Sequence, residues 1–108
     1  MLIAVAAAGE RVPARFEEAD TLLLIETDTD AVTALPRGGE AAADFAARAA
    51  ESGAEAVCCG MIGDEAVFDA LADLGVTRCF AAGREAVPAA HAAEEGTLPL
   101  IVRPGVLH

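Results

Sequence analysis

Apolar residues fall in more than one rhythm along this chain, and each rhythm predicts a different element. Leu2 to Ala8 is a continuous apolar run closed by Gly9-Glu10, the pattern of a strand buried on both faces. Gly9 to Asp20 turns polar and contains Pro13, which predicts a loop with at most a short irregular edge. Thr21 to Glu26 and Ala31 to Leu35 flank the turn-rich Thr27-Asp28-Thr29-Asp30, a hairpin signal. After Pro36-Arg37-Gly38-Gly39 the period lengthens, and Ala42, Phe45, Ala46 and Ala49 fall at helical spacing until Gly53.

From there strand and helix alternate. Ala54 to Cys59 is predicted as a strand. Asp64 to Leu74 follows as a helix with Val67, Ala70, Leu71 and Leu74 on one face, stopped by Gly75. Val76 to Ala81 is the next strand and Glu85 to Glu95 the last helix, with Pro88 tolerated in its first turn. Leu100 to His108 has no clear pattern. A hairpin followed by helix, strand, helix, strand, helix implies an α/β fold, a mixed five-stranded sheet in the order 3-2-1-4-5 with helices on its faces. No repeat or linker interrupts residues 1–108, a length that fits one domain.

Composition narrows the function. Aromatic residues are only 4 %, so Ala, Val, Leu and Ile must build the core and the helices must pack closely. The net charge of -11 argues against nucleic acid and against an anionic membrane surface, because both draw affinity from Lys and Arg. No apolar run approaches the ~20 residues that span a bilayer, and the start lacks the basic residues of a secretion signal. The cytoplasm is the expected location. Three cysteines there are expected to be thiols.

In the expected topology, strands one, three, four and five run the same way, so their C-terminal loops gather at one end of the sheet. Arg11, Arg15, Arg37 and Arg84 fall on or near that end, beside Gly60-Met61-Ile62-Gly63 and the helix it opens. Open α/β sheets bind ligands at this end. An anion could be held there by guanidinium groups and free backbone N–H groups. The alternative is a set of solvated arginines offset by Glu10, Glu17, Glu18, Asp64 and Glu85. Cys58 and Cys59 are adjacent on a strand and point to opposite faces, so they cannot grip one metal together. Cys59, next to the turn, is the better candidate for a ligand. Cys58 and Cys79 could be neighbours across parallel strands. The usual fate of free cysteines is to be small buried hydrophobes, and that is the other reading for all three. His91 reads as a surface or packing residue. No nucleophile-base arrangement is legible and Ser52 is the only serine, so catalysis is not expected.

These segments resemble the dinitrogenase iron-molybdenum cofactor biosynthesis family, small domains with a ribonuclease H-like fold. The likeness rests on Ile3-Ala4-Val5, on the loop Val12-Pro13-Ala14-Arg15-Phe16-Glu17-Glu18-Ala19, and on Val57-Cys58-Cys59-Gly60-Met61-Ile62-Gly63. It continues through Leu71-Ala72-Asp73-Leu74-Gly75-Val76 and Glu95-Gly96-Thr97-Leu98. It implies a non-catalytic carrier of an iron-sulfur or iron-molybdenum cluster precursor, connected with nitrogen fixation. Metallocluster donor or acceptor proteins would be its partners, and a homo-oligomer is a further expectation. The family's loop histidine is matched here by Arg15, which stays protonated and cannot coordinate iron. The glycine after Phe16 is matched by Glu17. The resemblance therefore implies a site in which Arg15 and Arg37 supply charge, Gly60 and Gly63 supply backbone, and Cys59 is the soft metal ligand. The alternatives are an interaction domain that has lost the cluster, pairing through an exposed edge strand, or a binder of a small anion.

Overall fold

A strand that is apolar on both sides belongs in the middle of a sheet, and β1 (Leu2–Ala7) lies there. The computed structural model describes all 108 residues. The hairpin β2 (Thr21–Glu26) and β3 (Ala31–Pro36) flanks β1 on one side in antiparallel register. Its turn is closed by Asp30 at φ 58°, a left-handed conformation that aspartate tolerates better than most residues. On the other side β4 (Ala56–Cys59) and β5 (Thr77–Phe80) run parallel to β1, which gives the expected order β3-β2-β1-β4-β5.

Three helices cover the two faces. Helices α1 (Ala42–Glu51) and α2 (Glu65–Ala72) share one face, where Phe16, Phe45, Leu22, Val57, Ile62 and Leu71 are fully enclosed or nearly so. Helix α3 (Ala86–Glu95) covers the other with Ala86, Ala89, Ala90 and Ala92, small side chains that let it settle closely onto Ile3, Val5 and Cys58. Gly96 ends α3 in the left-handed conformation at φ 74°. The predicted elements and the observed ones differ by one or two residues at their ends. The loop after β1 holds a single 3-10 turn at Phe16–Glu18, which delivers the Phe16 ring to the core. No helix is long and apolar enough to cross a membrane.

The last residues, for which the sequence offered no pattern, form a small hairpin of β6 (Ile101–Arg103) and β7 (Val106–Leu107). The approach to it lies along the outer edge of β5. Phe80 N–H donates to Pro99 C=O at 2.8 Å, and the Arg78 guanidinium reaches Ile101 C=O at 3.1 Å.

With so few aromatic residues, each carries unusual weight. Phe45 is wholly buried, its ring centroid 5.8 Å from that of Phe16, and the guanidinium groups of Arg37 and Arg48 lie over it at 5.5 and 5.8 Å. Phe45→Ala should cost about 3–5 kcal/mol. Urea unfolding monitored by circular dichroism would read this as a lower midpoint at unchanged slope, and a cost near zero would remove Phe45 from the centre of this core.

Candidate functional site

Three loops meet at the C-terminal end of the parallel strands, and backbone hydrogen bonds stitch them together. The loop after β1 runs between the other two. On one side Met61 N–H donates to Ala14 C=O at 2.9 Å and Phe16 N–H donates to Met61 C=O at 3.0 Å. On the other side Val12 N–H donates to Arg84 C=O at 2.9 Å, Gly83 N–H to Val12 C=O at 2.8 Å, and Ala86 N–H to Glu10 C=O at 2.9 Å. Val12 and Phe16 anchor the loop by burying their side chains on opposite faces of the sheet. The C-terminal hairpin adds a fourth piece, because Gly105 N–H donates to Ile62 C=O at 2.8 Å.

The expected site residues do not all take the parts assigned to them. Arg15 is on the surface at this end, with a loose ion pair to Glu18 at 3.6 Å, and is free to swing toward a ligand. Arg84 is exposed and has no side-chain partner. Arg11 is engaged by Glu85 at 3.2 Å and by Gly83 C=O. Arg37 points inward. Its guanidinium donates to the carbonyls of Glu17, Ala19 and Glu40 at 2.7 to 2.9 Å while stacking on Phe45, so it fixes the loop from below.

Gly60 and Gly63 separate into different roles. A Cβ on Gly60 would run into the backbone of Pro13 and Ala14, so this glycine is required by the approach of the two loops and is buried under it. Gly63 is exposed, has open space around its Cα, and its N–H has no protein acceptor. The helix that follows is already capped, since Asp64 Oδ1 accepts from Ala66 N–H at 2.8 Å. A carboxylate thus sits where an anion at the start of α2 was expected.

The placement of Cys59 weighs against the metal-ligand part expected of it. It is fully buried on the α1–α2 face, and burial pushes its thiol far above the ordinary range, with the Cys79 thiol adding to the effect. Buried in this way, Cys59 offers no exposed sulfur to the loop end. Cys58 and Cys79 are in register on β4 and β5, facing α3, as their positions suggested. The neighbouring Cys79 thiol and burial raise Cys58, whose thiol donates to Ala89 C=O at 3.5 Å. No three His, Cys, Asp or Glu side chains converge on a metal position.

Two residues at this end escaped the sequence reading. Arg103, two positions before the Gly105 contact, is exposed and without a partner. Nothing in the unpatterned tail pointed to it. Met61 is half-buried in the Gly60–Gly63 turn and brings the only partly exposed sulfur to this end. Its signal in sequence is fainter than that of the cysteines, whose thiolates are the stronger soft ligands. His91, far from the loops, hydrogen-bonds Asp30 at 2.6 Å and ties α3 to the hairpin turn. The larger cleft, about 440 Å³, opens beside the loops between α3 and the hairpin, but its charged lining is Glu10 and Glu85, which suits no anion.

A mixed sheet ordered 3-2-1-4-5, with helices on both faces and its loops stitched together at one end, defines a small α/β domain. The chain belongs to the dinitrogenase iron-molybdenum cofactor family, whose model matches residues 1–96. Its fold is similar to that of the apo form of the orange protein from Desulfovibrio gigas, at 25% identity and a TM-score of 0.77, over 97% of this chain and 96% of that one. It is also similar in fold to a dinitrogenase-type protein of Methanocaldococcus jannaschii, at 18% identity and a TM-score of 0.72, over 96% of this chain and 97% of that one. No curated protein matches.

The two glycines should respond differently to one methyl group. Gly60→Ala should separate the loops and destabilise the fold by more than about 1–3 kcal/mol, the range for forced overpacking, whereas Gly63→Ala should stay within about 0.5 kcal/mol. Equal effects on the thermal midpoint would refute the assigned roles. The thiols offer a second check. Iodoacetamide at mildly alkaline pH should leave Cys59 unmodified in the native protein and label it after unfolding, as read by mass spectrometry of peptides. Rapid native labelling would mean that Cys59 is accessible after all.

Proposed function

We propose that this chain is a non-catalytic carrier that holds an anionic iron-sulfur or iron-molybdenum cluster precursor as cargo, received from a donor protein and passed to an acceptor. The family match over residues 1–96 carries this reading. The likeness to the apo orange protein over nearly the full length supports it. The cargo would rest at the stitched loop end, held by Arg15, Arg84 and Arg103 and by the open N–H of Gly63. Guanidinium groups donate charge-assisted hydrogen bonds, and cluster sulfurs accept them. The half-buried Met61 thioether is the sulfur nearest to hand. Arg37 and Gly60 shape the loop from beneath without touching the cargo.

The net charge of -11 opposes an anionic cargo at long range. At physiological salt the opposition fades beyond about 8 Å, so the carboxylates that compete with the arginines are those of the loop end itself, Glu10, Glu17, Glu18, Asp64 and Glu85. Glu85 is already paired to Arg11, which leaves less negative potential at the same end.

Anaerobic titration with iron-sulfur and iron-molybdenum cluster donors, followed by visible absorption and metal analysis, tests the reading. The protein should take up cluster stoichiometrically and lose it as salt rises. Arg15→Ala with Arg84→Ala should weaken uptake at least tenfold, and Cys59→Ala should retain it. Absence of uptake by the unaltered protein would sink the carrier reading. Loss confined to a folded Cys59→Ala variant would replace charge with thiolate ligation.

A further inference from the structure

The two edges of the sheet are treated differently. Along β5 the edge is covered by Pro99, the Cys79–Leu100 bridge and Arg78. Along β3 it is bare. That strand, Ala-Val-Thr-Ala-Leu-Pro, carries no charge, runs with β2 through six pairs without a bulge, and exposes nearly every residue, Val32 at 46%. Charges, bulges, covers and edge prolines are the usual means of blunting an edge, and β3 has only Pro36, at its last position.

The hydrogen-bond phase fixes what this edge can offer. Thr27 N–H donates to Met1 C=O, so the odd residues of β2 bond β1 and the even ones bond β3. Arg37 N–H donates to Asp20 C=O in the same phase. Ala31, Thr33 and Leu35 therefore turn their backbone groups to β2, and Val32, Ala34 and Pro36 turn theirs outward. Pro36 has no N–H, and its carbonyl already accepts from Arg48 at 2.8 Å. The free edge thus comes down to the N–H and C=O of Val32 and of Ala34.

We propose that β3 pairs with β3 of a second copy of this chain, antiparallel, about a two-fold axis through Thr33. In that register Val32 faces the partner's Ala34 and Ala34 faces the partner's Val32. Each pair exchanges both of its hydrogen bonds, and all four free groups on each copy are satisfied. Moving the axis to Ala34 would set Val32 against the partner's Pro36, which has no donor and an occupied acceptor. A longer extended peptide gains little over a second copy, because only two residues present free groups. The axis brings Thr33 against the partner's Thr33, a favourable cross-strand pair. On the α3 face it joins the apolar strips of Val32, Ala34, Leu23 and Ile25 from both copies.

Sedimentation equilibrium should find a dimer whose fraction rises with protein concentration and also with salt, which screens the repulsion between two chains of net charge -11. Thr33→Lys sets two ammonium groups face to face. It should weaken the dimer at least tenfold while leaving the circular dichroism unchanged, although it makes the chain less negative. Under oxidised glutathione, Thr33→Cys should yield a reducible covalent dimer, since directly opposed residues bring their Cβ atoms to about 5 Å. Ala31→Cys should not, because the two copies of that position would lie about 13 Å apart along the strands. A monomer at every concentration, a dimer untouched by Thr33→Lys, or equal crosslinking at both positions would overturn the proposal.

Discussion

Much of this molecule depends on the contact between the backbone at Gly60 and the backbone at Pro13–Ala14. Without a side chain at Gly60 the loop after β1 can lie against the turn after β4, and Met61 exchanges hydrogen bonds with Ala14 and Phe16 as in a short stretch of parallel sheet. That contact sets the depth of Phe16, whose ring completes the core around Phe45. It also sets the place of Arg15, which precedes Phe16 and is left on the surface. One missing Cβ therefore links core packing to the exposure of a cation at the loop end.

Arginine serves two purposes in this chain, and the surroundings decide which. Arg37 and Arg48 lie over Phe45 with their hydrogen bonds filled by carbonyls and by Glu40, so their planar groups act as packing surfaces. Arg84 and Arg103 have no partner and retain all their donors for a ligand. With no lysine in the sequence, every fixed side-chain positive charge is a guanidinium. Such a group holds an anion through directed hydrogen bonds as well as through charge.

Most of the architecture was legible from periodicity, because the double-sided apolar run of β1, the Thr27–Asp30 turn and the helix-spaced alanines each admit one local structure. The tail was not, since Leu100 to Leu107 forms a hairpin only by leaning on β5 and on Ile62, contacts that no local pattern records. The site was legible as a location and less so as a set of residues. Arg15 lies on the surface at the loop end, beside Met61. The inward course of Arg37 was not legible because nothing in sequence distinguishes an arginine that faces solvent from one drawn under a loop by Phe45. The burial of Cys59 was not legible because proximity to a turn says nothing about depth, and Ile62 and Val67 are buried with it on the same face.

The placement of the thiols bears on how cargo would be exchanged. A thiolate bond to a cluster must be broken at each transfer, whereas hydrogen bonds to exposed arginines can be replaced one at a time by those of an acceptor. Keeping all three cysteines buried removes the strongest competitor for the metal from the carrier itself. Pairing through β3 is compatible with this use of the loops. A two-fold axis perpendicular to the sheet reverses strand direction between copies, so the two loop ends open at opposite ends of the joined sheet. Each would then face solvent alone, and the negative charge of one cargo would lie well beyond a Debye length of about 8 Å from the other. The proposed pairing edge and the proposed cargo end are thus separate surfaces, and occupation of one would leave the other open.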